Sequence, residues 1–226
     1  MTKNKIIGIL GGIGPESTGN FYLNLISTLQ KNGLINSNTD FPQIIINSIP
    51  APELIYEKIT DKDLELYIKG LKELDKFGVD FIVMACNTIH LFHEKLQREV
   101  KTPILDIRKE LKDFLIKKGI KSIAVLGTPM TMNQGLYKFD EFKYLDPEES
   151  DARLITDAVF NFNKGFEKEK QIKIIENIAR MCVGRGAEII VLGCTELSLM
   201  LGDIDIPKID TMEILSAAVI KNLWSS

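Results

Sequence analysis

Short runs in which every residue is apolar alternate along this chain with longer stretches whose apolar residues recur at three- and four-residue spacing. The short runs, Lys5 to Leu10, Gln43 to Asn47, Val79 to Ala85, Pro103 to Leu105, Ser122 to Leu126, Glu188 to Leu192 and Pro207 to Ile209, predict strands. The longer stretches predict amphipathic helices between most of them. A strand that is apolar at every position, rather than at every second one, has both faces covered, which marks a parallel sheet between helix layers. The pattern therefore predicts the α/β class.

The pattern also repeats. Lys5-Ile-Ile-Gly-Ile-Leu-Gly11 matches Lys121-Ser-Ile-Ala-Val-Leu-Gly127, and Gly78-Val-Asp-Phe-Ile-Val-Met-Ala-Cys86 matches Gly186-Ala-Glu-Ile-Ile-Val-Leu-Gly-Cys194. Pro103-Ile-Leu-Asp106 matches Pro207-Lys-Ile-Asp210 in the same order, with the displacement drifting as short insertions make it drift. This predicts two pseudo-symmetric, three-layer α/β domains. The first covers 1–105, with the C-terminal helix 211–226 packing back onto it, and the second covers 106–210. No low-complexity linker separates them, so a tight cleft is expected, with each cysteine at the carboxyl end of a central strand, where open α/β sheets bind ligands.

Composition narrows the partners. The 226 residues are 45% hydrophobic and 26% charged, with a formal net charge of −3, and Lys and Arg are dispersed. No basic patch suits a nucleic acid. The apolar run Ile6 to Leu10 is broken at once by Gly11 and Gly12, and no span reaches membrane length, so the expectation is a cytoplasmic protein. Three cysteines lie far apart with no Cys-x-x-Cys or Cys/His ligand spacing, which predicts reduced thiols and no structural zinc. His90 and His93 sit at i and i+3 with no third ligand nearby in sequence. They read as two solvated helix histidines.

Cys86 and Cys194 are the chemically interesting thiols. Each follows an apolar strand and precedes amide or hydroxyl side chains, Asn87-Thr88 and Thr195-Glu196, where a helix N-terminus favours a thiolate. Free cysteine is often only a small buried hydrophobe, but two at equivalent points of a repeat indicate function. Cys182 shares one helical face with Ile172, Ile175 and Ala179 and reads as packing.

Gly11-Gly-Ile-Gly-Pro-Glu-Ser17 follows the first strand, yet it departs from a dinucleotide fingerprint: Pro15 intrudes, Ser17 stands where the third glycine belongs, and the second strand ends in Asn47 without a ribose-binding carboxylate. It reads instead as a turn into a helix begun by Pro15, with Gly12, Ile13 and Gly14 lining an approach to a small ligand. Thr128 to Thr131 is the matching turn of the second half. Asn87, Thr88, Thr195 and backbone N–H groups suit a carboxylate, so a small carboxylic acid is the expected ligand.

Gly11-Gly-Ile-Gly-Pro-Glu-Ser-Thr18, Cys86-Asn-Thr-Ile-His90 and Gly193-Cys-Thr-Glu-Leu197 resemble the three signature motifs of the aspartate/glutamate racemase family, in order and across nearly the whole chain. Glu196, where glutamate racemases usually have His, resembles the aspartate racemase branch. The resemblance implies racemisation of an amino acid without a cofactor, a cleft between two domains, and often a homodimer. Cys86 and Cys194 would be the two bases, on opposite faces of the substrate. Asn87, Thr88, Thr128, Thr131 and Thr195 would hold its carboxylate as charge spreads into it, and Glu196 and His90 would orient or tune neighbouring groups. Two departures bear on specificity: Leu54 stands where aspartate-specific relatives carry an arginine, and their helix lysine is displaced by one, near Asn163-Lys164. The segment from Phe139 to Ser150 is short enough that the second half is expected to lack an edge strand. The rivals are a two-cysteine maleate isomerase, a hydantoin racemase or a one-cysteine arylmalonate decarboxylase of the same superfamily, and, in another class, a non-catalytic sensor of a small carboxylate or of redox state.

Overall fold

The computed structural model describes residues 5–52 and 59–224. The chain runs through β1 (Ile7–Gly11), α1 (Pro15–Lys31), β2 (Ile44–Ser48), α2 (Asp61–Phe77), β3 (Phe81–Met84), α3 (His93–Gln97) and α4 (Ile107–Lys117). It continues through β4 (Ser122–Gly127), α5 (Pro129–Asn133), β5 (Lys143–Tyr144), α6 (Glu149–Asn163), α7 (Lys168–Gly184), β6 (Ile189–Gly193), α8 (Thr195–Leu201), β7 (Lys208–Asp210) and α9 (Thr211–Trp224). Every strand pairing is parallel. β1, β3 and β4 are buried at every position as predicted, whereas the edge strand β2 is half-buried and leaves Ile46 exposed.

Two compact units divide the chain. One comprises 5–52, 59–110 and 212–224, and the other 111–211, so the division falls inside α4. Within the first unit α9 is tied down where the Lys5 ammonium donates to the Asn222 carbonyl at 2.6 Å.

Both units use one sheet plan. The first has the order β2-β1-β3, extended by a single bridge between Ile82 and Ile104; the second has β5-β4-β6-β7. The predicted strand Pro103 to Leu105 is thus reduced to one bridge, because the chain turns into α4 at Ile107. In each unit a 17-residue amphipathic helix, α2 or α7, leads into the strand that carries a cysteine.

The expectation that the second half lacks an edge strand is corrected. β5 is there, only two residues long, held by Lys143 N–H to the Lys121 carbonyl at 2.8 Å and Leu145 N–H to the Ile123 carbonyl at 2.9 Å. A strand so short carries no periodicity to detect, and a short edge also resists unwanted pairing. The second unit adds α6, which lies against α7 as a helical hairpin. α7 ends beside the start of β4, since Glu188 N–H donates to the Ser122 carbonyl at 3.1 Å. With α7 about 25 Å long, the turn joining α6 to α7 reaches the opposite, carboxyl edge of that sheet. Lys164 is in that turn.

Candidate active site

Two strand ends carry the chemistry. In the first unit β3 ends at Met84, and Ala85, Cys86 and Asn87 turn into a 3-10 helix over Thr88–Phe92. A 3-10 helix of five residues takes the place of the α-helix expected there, so less dipole is aligned on the Cys86 sulfur. Cys86 is 8% exposed, and Asn87 and Thr88 are buried beside it. A buried amide and hydroxyl at a strand end are suited to bonding a carboxylate.

In the second unit β6 ends at Gly193 and Cys194 is the N-cap residue of α8. Cys194 is 6% exposed, and its thiol donates to Glu196 Oε2 at 2.8 Å. The Thr195 hydroxyl donates to the same oxygen at 3.0 Å. Glu196 therefore orients the Cys194 thiol, accepting from it and from the Thr195 hydroxyl through one oxygen.

The glycine turn is closed on itself. Gly12 N–H donates to Thr18 Oγ1 at 2.9 Å, and that hydroxyl donates to the Gly14 carbonyl at 3.1 Å. Gly12 adopts φ +89°, and a Cβ there would stand 2.2 Å from the Ile49 carbonyl oxygen, so only glycine fits. Pro15 is the first residue of α1 and Glu16 lies in its first turn, as the sequence predicts; Ile13 and Gly14 are half-buried. In the matching turn Thr128 caps α5, its Oγ1 accepting from Thr131 N–H at 3.2 Å, with Pro129 first in the helix. Thr131 is buried and Thr128 half-buried. Lys164 is exposed, and Glu53 and Leu54 lie outside the described residues.

The histidine reading is corrected at His90. His90 is fully buried rather than solvated, stacked on His93 with ring centroids 6.1 Å apart. His93, but not His90, has a ligand atom within 4.8 Å of those of both Glu94 and Asp106. The Arg108 guanidinium already serves as their cation, donating to Asp106 at 2.8 and 2.9 Å and to Glu94 at 2.6 Å. Burial pushes the Asp106 carboxyl up, but the Arg108 hydrogen bonds and charge outweigh it and hold the group below its usual range. Burial also drives the His90 imidazole down to about 3 against the pull of Asp106, so it is neutral. Neither Arg108 nor the buried Thr211 stands out in the sequence; the signal for both is the repeated Asp106 and Asp210 beside them.

Cys182 is buried with Ile175 and Ala179 on α7, as predicted, in a core that also takes in Ile155 of α6, and none of the three cysteines is in a disulfide. No helix among the described residues is long and apolar enough to cross a membrane.

Residues 10–219 match the family model described as Asp/Glu/hydantoin racemase. The chain is 29% identical over 222 residues to a protein of Bacillus subtilis (strain 168) named broad specificity amino-acid racemase RacX, covering 95% of this chain and 96% of that one. Among solved structures it resembles an aspartate racemase homologue from Pyrococcus horikoshii OT3, at 27% identity and TM-score 0.77 over 98% of this chain and 100% of that one. It also resembles Picrophilus torridus aspartate racemase, at 25% identity and TM-score 0.80 over 97% of this chain and 94% of that one. With the repeated sheet plan and a cysteine closing the equivalent strand of each unit, the match over almost the whole chain establishes that this protein belongs to the Asp/Glu/hydantoin racemase family.

Proposed function

We propose that this protein racemises an acidic amino acid, with aspartate the first substrate to test, by a two-base mechanism that needs no cofactor. The observation that carries the reading is the equivalence of Cys86 and Cys194. They occupy the same position after the same inner strand of two like-built units, and one of them already shares its proton with a carboxylate. A thiolate on one face removes the α-proton while a thiol on the other returns one, so the centre inverts with no net change of protons. The α-proton is weakly acidic, and the intermediate must be stabilised by dipoles already aimed at the carboxylate. Asn87, Thr88, Thr128, Thr131 and Thr195, with the backbone of Gly12 to Gly14, are the groups proposed for that task. Glu196 receives the Cys194 proton when that thiol must act as a base.

Substrate breadth is part of the reading. Leu54 cannot form the bidentate charge-assisted contact of an arginine, which leaves Lys164, at the carboxyl edge of the second sheet, as the cation proposed for a side-chain carboxylate. The resemblance to a relative named for broad specificity supports a range wider than aspartate. A homodimer is proposed, to be checked by sedimentation.

The test is incubation of purified protein with L- and D-aspartate, L- and D-glutamate and maleate, after dialysis against a chelator and a carbonyl reagent. Optical rotation and α-deuterium uptake are followed. Racemisation with deuterium uptake is the expected result. Binding without either, or conversion of maleate alone, overturns the proposal.

A further inference from the structure

The carbonyl two residues ahead of each cysteine is capped by a side chain, and by a different side chain in each unit. In the second unit the Thr211 hydroxyl donates to the Leu192 carbonyl at 2.8 Å, with both residues fully buried. In the first, His90 Nε2 lies 3.3 Å from the Met84 carbonyl, again with both residues fully buried. Met84 precedes Cys86 and Leu192 precedes Cys194 by the same two positions.

The difference arises from the ladders. In the second unit β6 and β7 stay paired as far as Leu192 and Asp210, which delivers Thr211 to the Leu192 carbonyl. In the first, pairing stops at the single bridge between Ile82 and Ile104, and the residue after Asp106 is Ile107, whose side chain has no donor. The Met84 carbonyl then faces a region the ladder does not reach. A buried carbonyl without a partner is costly, and the imidazole supplies the missing proton from the far side of the cysteine's own turn.

The tautomer is fixed by the same geometry. A carbonyl only accepts, so the single proton of the neutral imidazole sits on Nε2 and the Nδ1 lone pair faces Asp106. Nδ1 is 3.9 Å from Asp106 Oδ1, beyond hydrogen-bond reach, because Arg108 engages that carboxylate through its backbone N–H, Nε and Nη2. Arg108 thus keeps Asp106 from drawing the proton to Nδ1. The other groups facing the ring are His93, stacked on it, and the backbone of its own turn, where His90 N–H donates to the Asn87 carbonyl at 3.0 Å.

We infer that His90 and Thr211 are equivalent positioning residues, each fixing the strand end that aims one cysteine. The inference rests on the reading of Cys86 and Cys194 as the reacting thiols. A displaced base loses rate steeply.

Thr211→Val removes one hydroxyl at constant shape, and His90→Leu removes the ring donor, while Thr211→Ser and His90→Gln retain a donor. With L- and D-aspartate, each of the first two should lower kcat by roughly ten- to a hundred-fold, and the donor-retaining variants should restore most of it. Thr211→Val should slow α-deuterium exchange of the enantiomer handled by Cys194, and His90→Leu that of the enantiomer handled by Cys86, as assigned with Cys86→Ser and Cys194→Ser. A readout without substrate is alkylation by iodoacetamide, followed by peptide mass spectrometry. Each variant should change the alkylation rate of its own cysteine and leave the other's alone. Nitrogen-15 NMR of the parent should show His90 protonated on Nε2 only. Parental kcat in Thr211→Val, equal effects on both cysteines, or a proton on Nδ1 overturns the inference. Full racemisation by a Cys→Ser variant would instead overturn the two-thiol reading, and the alkylation pattern would still decide this one.

Discussion

The two cysteine-bearing strand ends share a plan and differ in the residues placed after the sulfur. After Cys86 the chain tightens into a 3-10 helix and buries a neutral imidazole backed by the Asp106–Arg108 pair. After Cys194 it opens an α-helix whose second residue places a carboxylate 2.8 Å from the sulfur. The turn after Cys86 thus holds an uncharged buried ring, and the helix after Cys194 sets a carboxylate on the thiol. In the two-base mechanism proposed above, such asymmetric surroundings let the two thiols rest in different protonation states. The repeat supplies the placement, and the residues after each cysteine set its chemistry.

The sharpest way to break this comparison is to remove each thiol in turn. Cys86→Ser and Cys194→Ser should each lower racemisation by orders of magnitude, because a serine hydroxyl is too weak an acid to cycle protons at the α-carbon. The surviving thiol still faces one enantiomer. Each variant should therefore retain α-deuterium exchange with one hand of aspartate, and the two should choose opposite hands. Exchange of the same hand by both would mean a single base or a nucleophile.

Next in size is the carboxylate. Glu196→Gln preserves shape but presents an uncharged amide, which cannot take the Cys194 proton, so racemisation should fall by roughly ten- to a hundred-fold. Only the exchange assigned to Cys194 should slow. Equal slowing of both hands would show Glu196 to be holding substrate rather than serving one thiol.

These contrasts are unevenly visible in the sequence. The repeat, the buried parallel strands and both cysteines can be read because the hydrophobic effect writes period and order into sequence wherever both faces of a sheet are covered. β5 cannot, since a two-residue edge strand has no period. His90 is misread from spacing because two histidines at i and i+3 look the same whether they face water or core. It is held in the core by the Met84 carbonyl, a contact made through folding rather than spacing. Thr211 is signalled only by the repeated Asp210 beside it.

The buried imidazole makes a further difference between the units, in stability against pH. An unfolded histidine takes up its proton near 6.5, whereas burial drives folded His90 down to about 3, so between these values the unfolded chain binds the extra proton. Stability on this account is full above the unfolded value and is lost as pH falls towards 3, with a slope of up to about 1.4 kcal/mol per pH unit. The window from 6.5 down to about 5 is the informative one, because carboxyl groups begin to titrate below it. Urea midpoints across that window should fall with acidity in the parent, and the slope should flatten in His90→Leu. An unchanged slope would mean that His90 keeps its proton in the folded state.

The smallest effect belongs to the third cysteine, which tests whether burial alone distinguishes a reactive thiol. Cys182 is 0% exposed, Cys86 is 8% and Cys194 is 6%, so accessibility separates them only slightly. Place in the fold separates them clearly: Cys182 lies in the last turn of α7, on one face with Ile175 and Ala179, and not at the carboxyl end of a strand. Burial pushes its thiol up, outweighing the opposing charge of Arg185, so it stays protonated and inert at neutral pH. Cys182→Ala removes one sulfur from a packed core and leaves every group proposed for the reaction in place. It should cost about 1 kcal/mol of stability, read from the urea midpoint, with kcat unchanged. A large loss of turnover in a variant that folds normally would place the chemistry on α7 and undo the contrast between the two strand ends.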